Sequence, residues 1–184
     1  MIAAPKQASL GLPLTFRSSV PGIQSLEVSQ LILGKGAQAP DTVKPTTLAD
    51  GGAEFSVTPR LPGRVRFDIK AHFGDGRFDI VHDEVNVNVD ASRIEALRAD
   101  SQFHELTDLD VGSVYFLSPN IQVQGLAKPV EIGPLATYEV VGETGAAAPI
   151  TVEPDGTLRA VRPGAAAVLV TFEGHTDRLS VSVR

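Results

Sequence analysis

The sequence predicts an all-β protein built from two antiparallel β-sandwiches in tandem. Several stretches alternate apolar and polar residues with a period of two, which is the spacing of a strand with one buried face and one wet face. Pro-Gly and Asp-Gly pairs separate those stretches and predict turns. The length of 184 residues suits two sandwiches of about 100 residues each better than one.

The last thirty residues show this pattern most clearly. Residues 154–156 (Pro-Asp-Gly) and 163–164 (Pro-Gly) predict turns, because proline presets φ and glycine accepts positive φ. A closing hairpin is expected after them, with residues 174–177 reversing the chain. The predicted core of the second half consists of the inward-facing residues of this hairpin: Val168, Val170, Phe172, Leu179, Val181 and Val183.

The first half opens with three predicted segments. Residues 10–16 alternate Leu, Leu, Leu and Phe with outward residues that include Pro13, which favours an edge strand. Residues 23–33 also fit a helical period, but Val28 and the flanking turns favour a strand. Residues 34–52 predict a long connection with one short edge strand at Thr42-Val43.

The rest of the first half predicts a regular hairpin. Residues 54–58 restart the sheet, and Pro62-Gly63 begins a strand with one apolar face. Residues 74–76 (Gly-Asp-Gly) make the turn, and residues 78–89 return with Phe78, Ile80 and a Val-x-Val-x-Val finish. The residues predicted to face inward on the strand before the turn are Val65, Phe67, Ile69 and Ala71.

The second half predicts seven or eight strands. Residues 101–110 (SQFHELTDLD) are expected to form an exposed acidic loop. The strands are predicted at 94–97, 111–117, 121–123, 135–141, 150–152 and 157–161, followed by the closing hairpin.

The two halves also repeat one layout. Pro62-Gly63 lies 101 residues before Pro163-Gly164, and each pair introduces a long alternating strand, a turn containing glycine and a finish of alternating valines. A repeat of that length is one sandwich module. We therefore predict two domains, residues 1–91 and 92–184, joined by a very short linker.

The stretch from residue 152 to 184, VEPDGTLRAVRPGAAAVLVTFEGHTDRLSVSVR, resembles the end of bacterial immunoglobulin-like domains of group 2. The shared features are an Asp-Gly turn, a short strand ending in Ala-Val, a Pro-Gly turn and two valine-alternating strands. The resemblance covers about residues 93–184, and the first half resembles an immunoglobulin-like module by its pattern alone. It implies two immunoglobulin-like sandwiches and, for function, a spacer or adhesion module without a named ligand.

Composition excludes several classes of protein. The net charge is −6, and the cluster of Arg60, Arg64 and Arg66 is interrupted by apolar residues, so a nucleic-acid partner is not expected. No apolar run approaches the roughly 18 residues of a membrane span. The absence of cysteine excludes disulfides, thiolate metal sites and cysteine nucleophiles. The first residues lack the apolar region of a secretory signal, so in an exported protein we expect the signal upstream of Met1.

Histidines and carboxylates offer two candidate metal sites. His82, Asp83 and Glu84 are consecutive, but neighbouring residues on a strand point to opposite faces, so the three cannot converge and a solvated turn is expected instead. Residues 104–110 hold His104, Glu105, Asp108 and Asp110, whose oxygens suit calcium. No EF-hand loop fits there, so a weak calcium site near Asp108 and Asp110 is the alternative to an exposed acidic loop.

No motif predicts catalysis. His72 is expected on an outward strand face and His175 in a turn, each without a partner at a motif spacing. Nucleophile elbows, zinc-binding His-Glu-x-x-His helices, phosphate loops and dinucleotide fingerprints are all missing. Paired carboxylates for glycoside hydrolysis depend on the fold and stay open. With Tyr115 and Tyr138 as the only tyrosines and no tryptophan, aromatic platforms for sugars are poorly supported.

We therefore expect non-catalytic structural or interaction modules, acting as spacer or adhesion units of a larger bacterial secreted or cell-surface protein. No catalytic residue, cofactor or metal is predicted, and the expected partner is a protein or a surface glycan. Two alternatives stay open: accessory modules of an extracellular enzyme whose catalytic domain lies outside these residues, and a structural part of a phage or virion.

Overall fold

The computed structural model describes residues 2–3, 5–32, 39–142 and 147–184, where the regular structure is almost all strand. The chain divides into two compact units, Met1–Asp90 and Ala91–Arg184. The boundary expected from the sequence falls one residue later. A 3₁₀ turn at Ala91–Arg93 opens the second unit.

The first unit contains nine strands within these ranges. They are β1 (Ile2–Ala3), β2 (Gln7–Ser9), β3 (Leu14–Ser18), β4 (Ile23–Ile32), β5 (Asp41–Val43), β6 (Thr46–Thr47), β7 (Ala53–Val57), β8 (Gly63–Phe73) and β9 (Phe78–Asn88). One sheet has the order β1-β3-β7-β6 and the other the order β2-β9-β8-β4-β5.

This strand order is that of an immunoglobulin sandwich. In the usual letters the first sheet is A-B-E-D and the second is A′-G-F-C-C′. The first strand is divided between the sheets, because β1 pairs with β3 whereas β2 pairs with the last strand, β9. The predicted all-β, immunoglobulin-like fold is confirmed. The β2–β9 pair is parallel, which the prediction of purely antiparallel sheets did not include.

Three phenylalanines join the two sheets of the first unit. Phe16 on β3 stacks on Phe55 of β7 with ring centroids 5.1 Å apart, and it meets Phe67 of β8 edge-on at 5.4 Å. All three rings are buried. The four residues predicted to face inward on β8 are buried as well, so the alternation of that strand was correctly interpreted.

The predicted strand at residues 10–16 is correct only from Leu14 onward, where β3 begins and Leu14 and Phe16 are buried. A turn with Gly11 at φ 72° separates β2 from β3, because the chain crosses there from one sheet to the other. Leu12, predicted to face the core, is exposed for that reason. The edge position is wrong too, since β3 lies between β1 and β7.

The other predictions for the first half fared better. Strand β4 confirms a strand rather than a helix at 23–32, and residue 33 lies outside the described part. Strand β5 contains the predicted edge strand at Thr42-Val43, and β6 is an addition to the predicted connection, of which residues 34–38 are also outside the described part. The hairpin turn follows Phe73, as expected.

The second unit contains ten strands in the described residues, more than the seven or eight predicted. They are β10 (Ile94–Arg98), β11 (Glu105–Leu109), β12 (Val114–Phe116), β13 (Asn120–Val123), β14 (Val130–Glu131), β15 (Thr137–Gly142), β16 (Ile150–Val152), β17 (Thr157–Ala160), β18 (Gly164–Phe172) and β19 (His175–Val183). The sheet orders are β11-β19-β18-β15, β10-β13-β14 and β12-β17-β16.

The largest of these sheets repeats the strand order of the five-stranded sheet in the first unit. Its order corresponds to A′-G-F-C, with β11 parallel to β19 as β2 is parallel to β9. The two Pro-Gly turns therefore precede equivalent strands, β8 and β18, as the repeat predicted. All six residues of the predicted hairpin core are buried.

Three predictions for the second half are wrong in whole or in part. The acidic loop at 101–110 contains strand β11, which pairs with β19 far along the chain. The predicted strand at 111–117 begins only at Val114, because a turn with Gly112 at φ 91° precedes it. The final hairpin turns at Glu173 and Gly174, with φ of 47° and 79°, rather than at 174–177.

Candidate functional site

The outer face of the five-stranded sheet in the first unit carries two exposed apolar side chains. Along β9, Val85 and Val87 point into the core, so the even-numbered residues point outward. Phe78 and Ile80 are even-numbered, and they are 58% and 50% exposed. We call these two residues and the charged side chains around them on β4, β8 and β9 the outer-face cluster.

A chain of charged contacts lies at one end of the outer-face cluster. Arg64 on β8 donates from Nε to Glu84 Oε2 across the strand pair at 2.7 Å. Arg66 Nε donates to Asp68 Oδ1 at 2.6 Å, and His82 Nδ1 lies 2.6 Å from the same oxygen. Asp68 therefore bridges a guanidinium on its own strand and an imidazole on the next one.

A second group of contacts surrounds the apolar pair. Lys70 Nζ lies 4.9 Å from the centroid of the Phe78 ring, within the range of a cation–π contact, and 3.8 Å from Glu27 Oε2. His72 Nε2 lies 3.1 Å from the other oxygen of Glu27. Phe78 is thus bordered by charged groups that are already paired with one another.

The pairing of Asp68 affects its ionisation. Partial desolvation opposes the charged form, but the hydrogen bonds from Arg66 and His82 and their positive charges outweigh it, so the pKa of Asp68 lies below its ordinary value. The carboxylate is charged at neutral pH. It acts as the fixed acceptor of the cluster.

In the part of the chain that the structure describes, Ser29 is not placed to act as a nucleophile for the His82–Asp68 pair. Ser29 on β4 is directly opposite Asp68, and Asp68 is directly opposite His82, so the order across the sheet is Ser, Asp, His. Two strand spacings, about 9.6 Å, separate Ser29 from His82. A hydrolytic triad needs the imidazole between the hydroxyl and the carboxylate. The His82–Asp68 pair is a contact between two paired strands.

The consecutive residues His82, Asp83 and Glu84 do not converge. His82 and Glu84 face outward, whereas Asp83 lies on the opposite side of β9, where it accepts a hydrogen bond from Lys6 Nζ at 3.0 Å. The sequence argument about opposite faces was sound. The expected solvated turn is wrong, because all three residues lie inside β9.

The remaining histidines are dispersed. His104 is exposed in a bend just before β11. His175 is the first residue of β19 rather than part of a turn, and its Nε2 lies 3.2 Å from the carbonyl oxygen of Ala91. In the part of the chain that the structure describes, no three His, Asp or Glu side chains are grouped as metal ligands.

The weak calcium site considered near Asp108 and Asp110 has other contacts. Asp110 Oδ1 accepts a hydrogen bond from Arg184 Nε at 3.0 Å. Asp108 interrupts β11 with φ of 58°, and its backbone N–H donates to Ser182 Oγ at 3.0 Å. These contacts join residues 108–110 to the end of β19 and to Arg184.

Sequence reasoning missed the outer-face cluster, although the signal was present. The valines at 85 and 87 fix which face of β9 is buried, and Phe78 and Ile80 fall on the other face by simple alternation.

No helix in the described ranges is long and apolar enough to cross a membrane.

Comparison with known proteins does not assign this chain to a family. No family model matches the chain, and no curated protein is similar to it. The resemblance to group 2 domains thus has no matching model.

Among solved structures, the tandem immunoglobulin domains of titin are similar over 100% of this chain and 96% of that chain, with 12% identity and a TM-score of 0.46. Fibronectin(III)-like modules of CbhA from Clostridium thermocellum cover 100% and 94%, with 13% identity and a TM-score of 0.30. Superoxide reductase from Ignicoccus hospitalis covers 48% of this chain and 79% of that chain, with 16% identity and a TM-score of 0.35. The assignment of an immunoglobulin-like fold rests on the strand order given above.

Proposed function

We propose that this chain is a pair of non-catalytic interaction modules, and that the outer-face cluster of the first unit docks a protein partner. The observation that supports this proposal is the exposure of Phe78 and Ile80 next to each other on one face of a regular sheet. Large apolar side chains that are exposed together and bordered by polar groups are typical of protein–protein contact sites.

The charges around the apolar pair favour a protein partner of balanced charge. Three cations, Arg64, Arg66 and Lys70, are matched by three carboxylates, those of Glu27, Asp68 and Glu84. Apart from its two histidines, His72 and His82, this face therefore carries no net charge. Binding would therefore depend mainly on burial of the two apolar side chains, and we expect its affinity to change little with salt.

Site-specific photo-crosslinking tests this docking surface. A benzophenone amino acid in place of Phe78 should give one defined covalent product with a protein of the native organism. The matched control is the same substitution at Phe116, another exposed phenylalanine, on β12 of the second unit. The product should disappear when Ile80→Ser is added. Equal products from both positions, or a product that survives Ile80→Ser, would refute the proposal.

We further propose that the two units belong to a larger bacterial secreted or cell-surface protein, as spacer or adhesion modules. The support is the resemblance of residues 93–184 to group 2 domains and the repeat of one sandwich topology. The complete reading frame and fractionation of its product test this context. Recovery of the product from the cytoplasm alone would contradict it, and an adjoining catalytic domain would favour an accessory module of an enzyme.

A further inference from the structure

A polar cavity of about 470 Å³ lies on the outward face of the small sheet β10-β13-β14 in the second unit. Arg98, Asn120 and Glu131 form one row across its three strands, because Arg98 is paired with Asn120 and Asn120 with Glu131. Gln122 lies two residues further along β13 and lines the same cavity. The volume is within the range of small-molecule sites.

Asn120 is the unusual residue of this cavity. It is only 8% exposed, and its side-chain amide makes no hydrogen bond to any described residue. An amide sealed from water without a partner costs about 1 to 3 kcal/mol. Throughout the described ranges, however, no fully buried side-chain nitrogen or oxygen lacks a partner. The Asn120 amide must therefore be open to the cavity, where it presents a donor and an acceptor.

Gln122 is held in a complementary way. Its Nε2 donates to the carbonyl oxygen of Leu126 at 2.8 Å, which fixes the side chain and leaves its Oε1 as an acceptor towards the cavity. The fixed orientation lowers the entropy cost of binding a ligand.

We propose that this cavity binds a neutral carbohydrate. Arg98 supplies only donors, Glu131 only acceptors, and Asn120 both, so the wall suits groups that donate and accept at once, as hydroxyls do. The positive charge of one guanidinium and the negative charge of one carboxylate cancel, which disfavours ligands with a net charge of either sign. Ala96 and Pro129 add an apolar part of the wall against which the C–H groups of a sugar ring can pack.

The test is a titration of the full 184-residue chain followed by amide ¹H–¹⁵N spectra. The probes are glucose, galactose, mannose, fucose, N-acetylglucosamine and N-acetylgalactosamine, each up to about 50 mM, which detects millimolar dissociation constants. Glycylglycine and inorganic phosphate serve as zwitterionic and anionic probes. We expect at least one sugar to cause saturable shifts at residues 96–101 and 120–122, and in the side-chain NH₂ signals of Asn120.

Two variants locate the binding. Asn120→Ala should weaken the sugar about tenfold, the loss of one or two hydrogen bonds, and Gln122→Ala should weaken it in a chain that retains Asn120. Asn88→Ala, at an exposed asparagine on β9, is the matched control and should change nothing.

The proposal is overturned if no sugar shifts these signals, if only glycylglycine or phosphate does, or if both variants bind the sugar as tightly as the unaltered chain. The cavity lies in the other unit from the outer-face cluster and shares no residue with it, so either proposal can fail alone.

Discussion

Gln30 on β4 accepts a hydrogen bond at 2.8 Å from the backbone N–H of Arg60, which lies in the connection between β7 and β8. Its Nε2 donates at 2.9 Å to the carbonyl oxygen of Thr58. Gln30 is 2% exposed and occupies a position where β4 otherwise places apolar residues towards the core. One buried amide thus fixes the chain where it crosses from one sheet of the first unit to the other.

Replacing Gln30 with leucine should destabilise the first unit. The substitution keeps the volume but leaves the Thr58 carbonyl and the Arg60 N–H without this partner, at about 1 to 3 kcal/mol for each group that stays buried. Denaturant unfolding followed by far-UV circular dichroism measures the change. Gln7→Leu, on an exposed residue of β2, is the control and should change stability by less than about 0.5 kcal/mol. Equal effects of the two substitutions would show that the Gln30 contacts do not hold the crossing.

Truncation of Phe172 should destabilise the second unit. This side chain is 7% exposed at the end of β18, and Phe172→Ala removes most of a buried ring, so we expect a loss of about 3 to 5 kcal/mol. Tyrosine fluorescence reports this unit alone, because the chain has no tryptophan and both tyrosines, Tyr115 and Tyr138, lie there.

Phe116→Ala is the control for Phe172→Ala, since Phe116 is 68% exposed. It should change stability by less than about 0.5 kcal/mol. A loss below about 1 kcal/mol for Phe172→Ala would remove Phe172 from the core.

The alternation of apolar and polar residues was sufficient to predict the long hairpins, but it was insufficient to predict strand β11. In β8 apolar and polar residues alternate over four buried positions, and in β19 over three, so the buried face follows directly from the sequence. Strand β11 pairs with β19, and Leu106 is opposite Val181 in a parallel ladder. No residue near Leu106 in the sequence indicates this distant partner. The strand is also interrupted at Asp108, which breaks the period of two.

Some of the cross-strand pairs in the outer-face cluster could have been derived from the sequence. Once the turn at residues 74–76 is located, counting outward from it pairs Asp68 with His82 and Lys70 with Ile80. The hydrogen bonds between Arg66, Asp68 and His82 could not be derived, because they depend on rotamers. The cavity around Asn120 was also beyond reach, since it arises where three short strands meet.

The turn of the last hairpin should accept a better residue. Glu173 and Gly174 both have positive φ, as a type I′ turn requires, and glutamate is unfavourable there whereas asparagine followed by glycine is preferred. We expect Glu173→Asn to stabilise the second unit by about 0.5 to 1 kcal/mol and Gly174→Ala to destabilise it by a similar amount or more. Tyrosine-detected thermal unfolding of both variants measures the two shifts. A decrease in stability with Glu173→Asn would contradict the assigned turn type.

The ionisation of Tyr138 should make the second unit sensitive to alkaline pH. Its hydroxyl donates to the carbonyl oxygen of Gly133 at 2.8 Å. Desolvation, with further contributions from the negative charges of Asp155, Glu131 and Asp100, raises the pKa of Tyr138 from its ordinary value of 10.0 to about 12. The fold therefore holds the phenolic proton more tightly than the unfolded chain does. This contribution to stability is complete below about pH 10 and declines as the pH rises towards 12.

Tyr138→Phe tests that contribution, because phenylalanine packs a similar ring without a titrating group. At neutral pH the variant should be less stable by about 1 to 3 kcal/mol, since the Gly133 carbonyl loses its donor. Between pH 10 and 12 its stability should fall less steeply than that of the unaltered chain. Desolvation and the nearby Asp100 also raise the pKa of Tyr115, so Tyr115→Phe is a second test and should likewise make the alkaline loss of stability less steep. A tyrosinate absorbance titration that finds both tyrosines ionising near pH 10 would show that neither hydroxyl is held in this way.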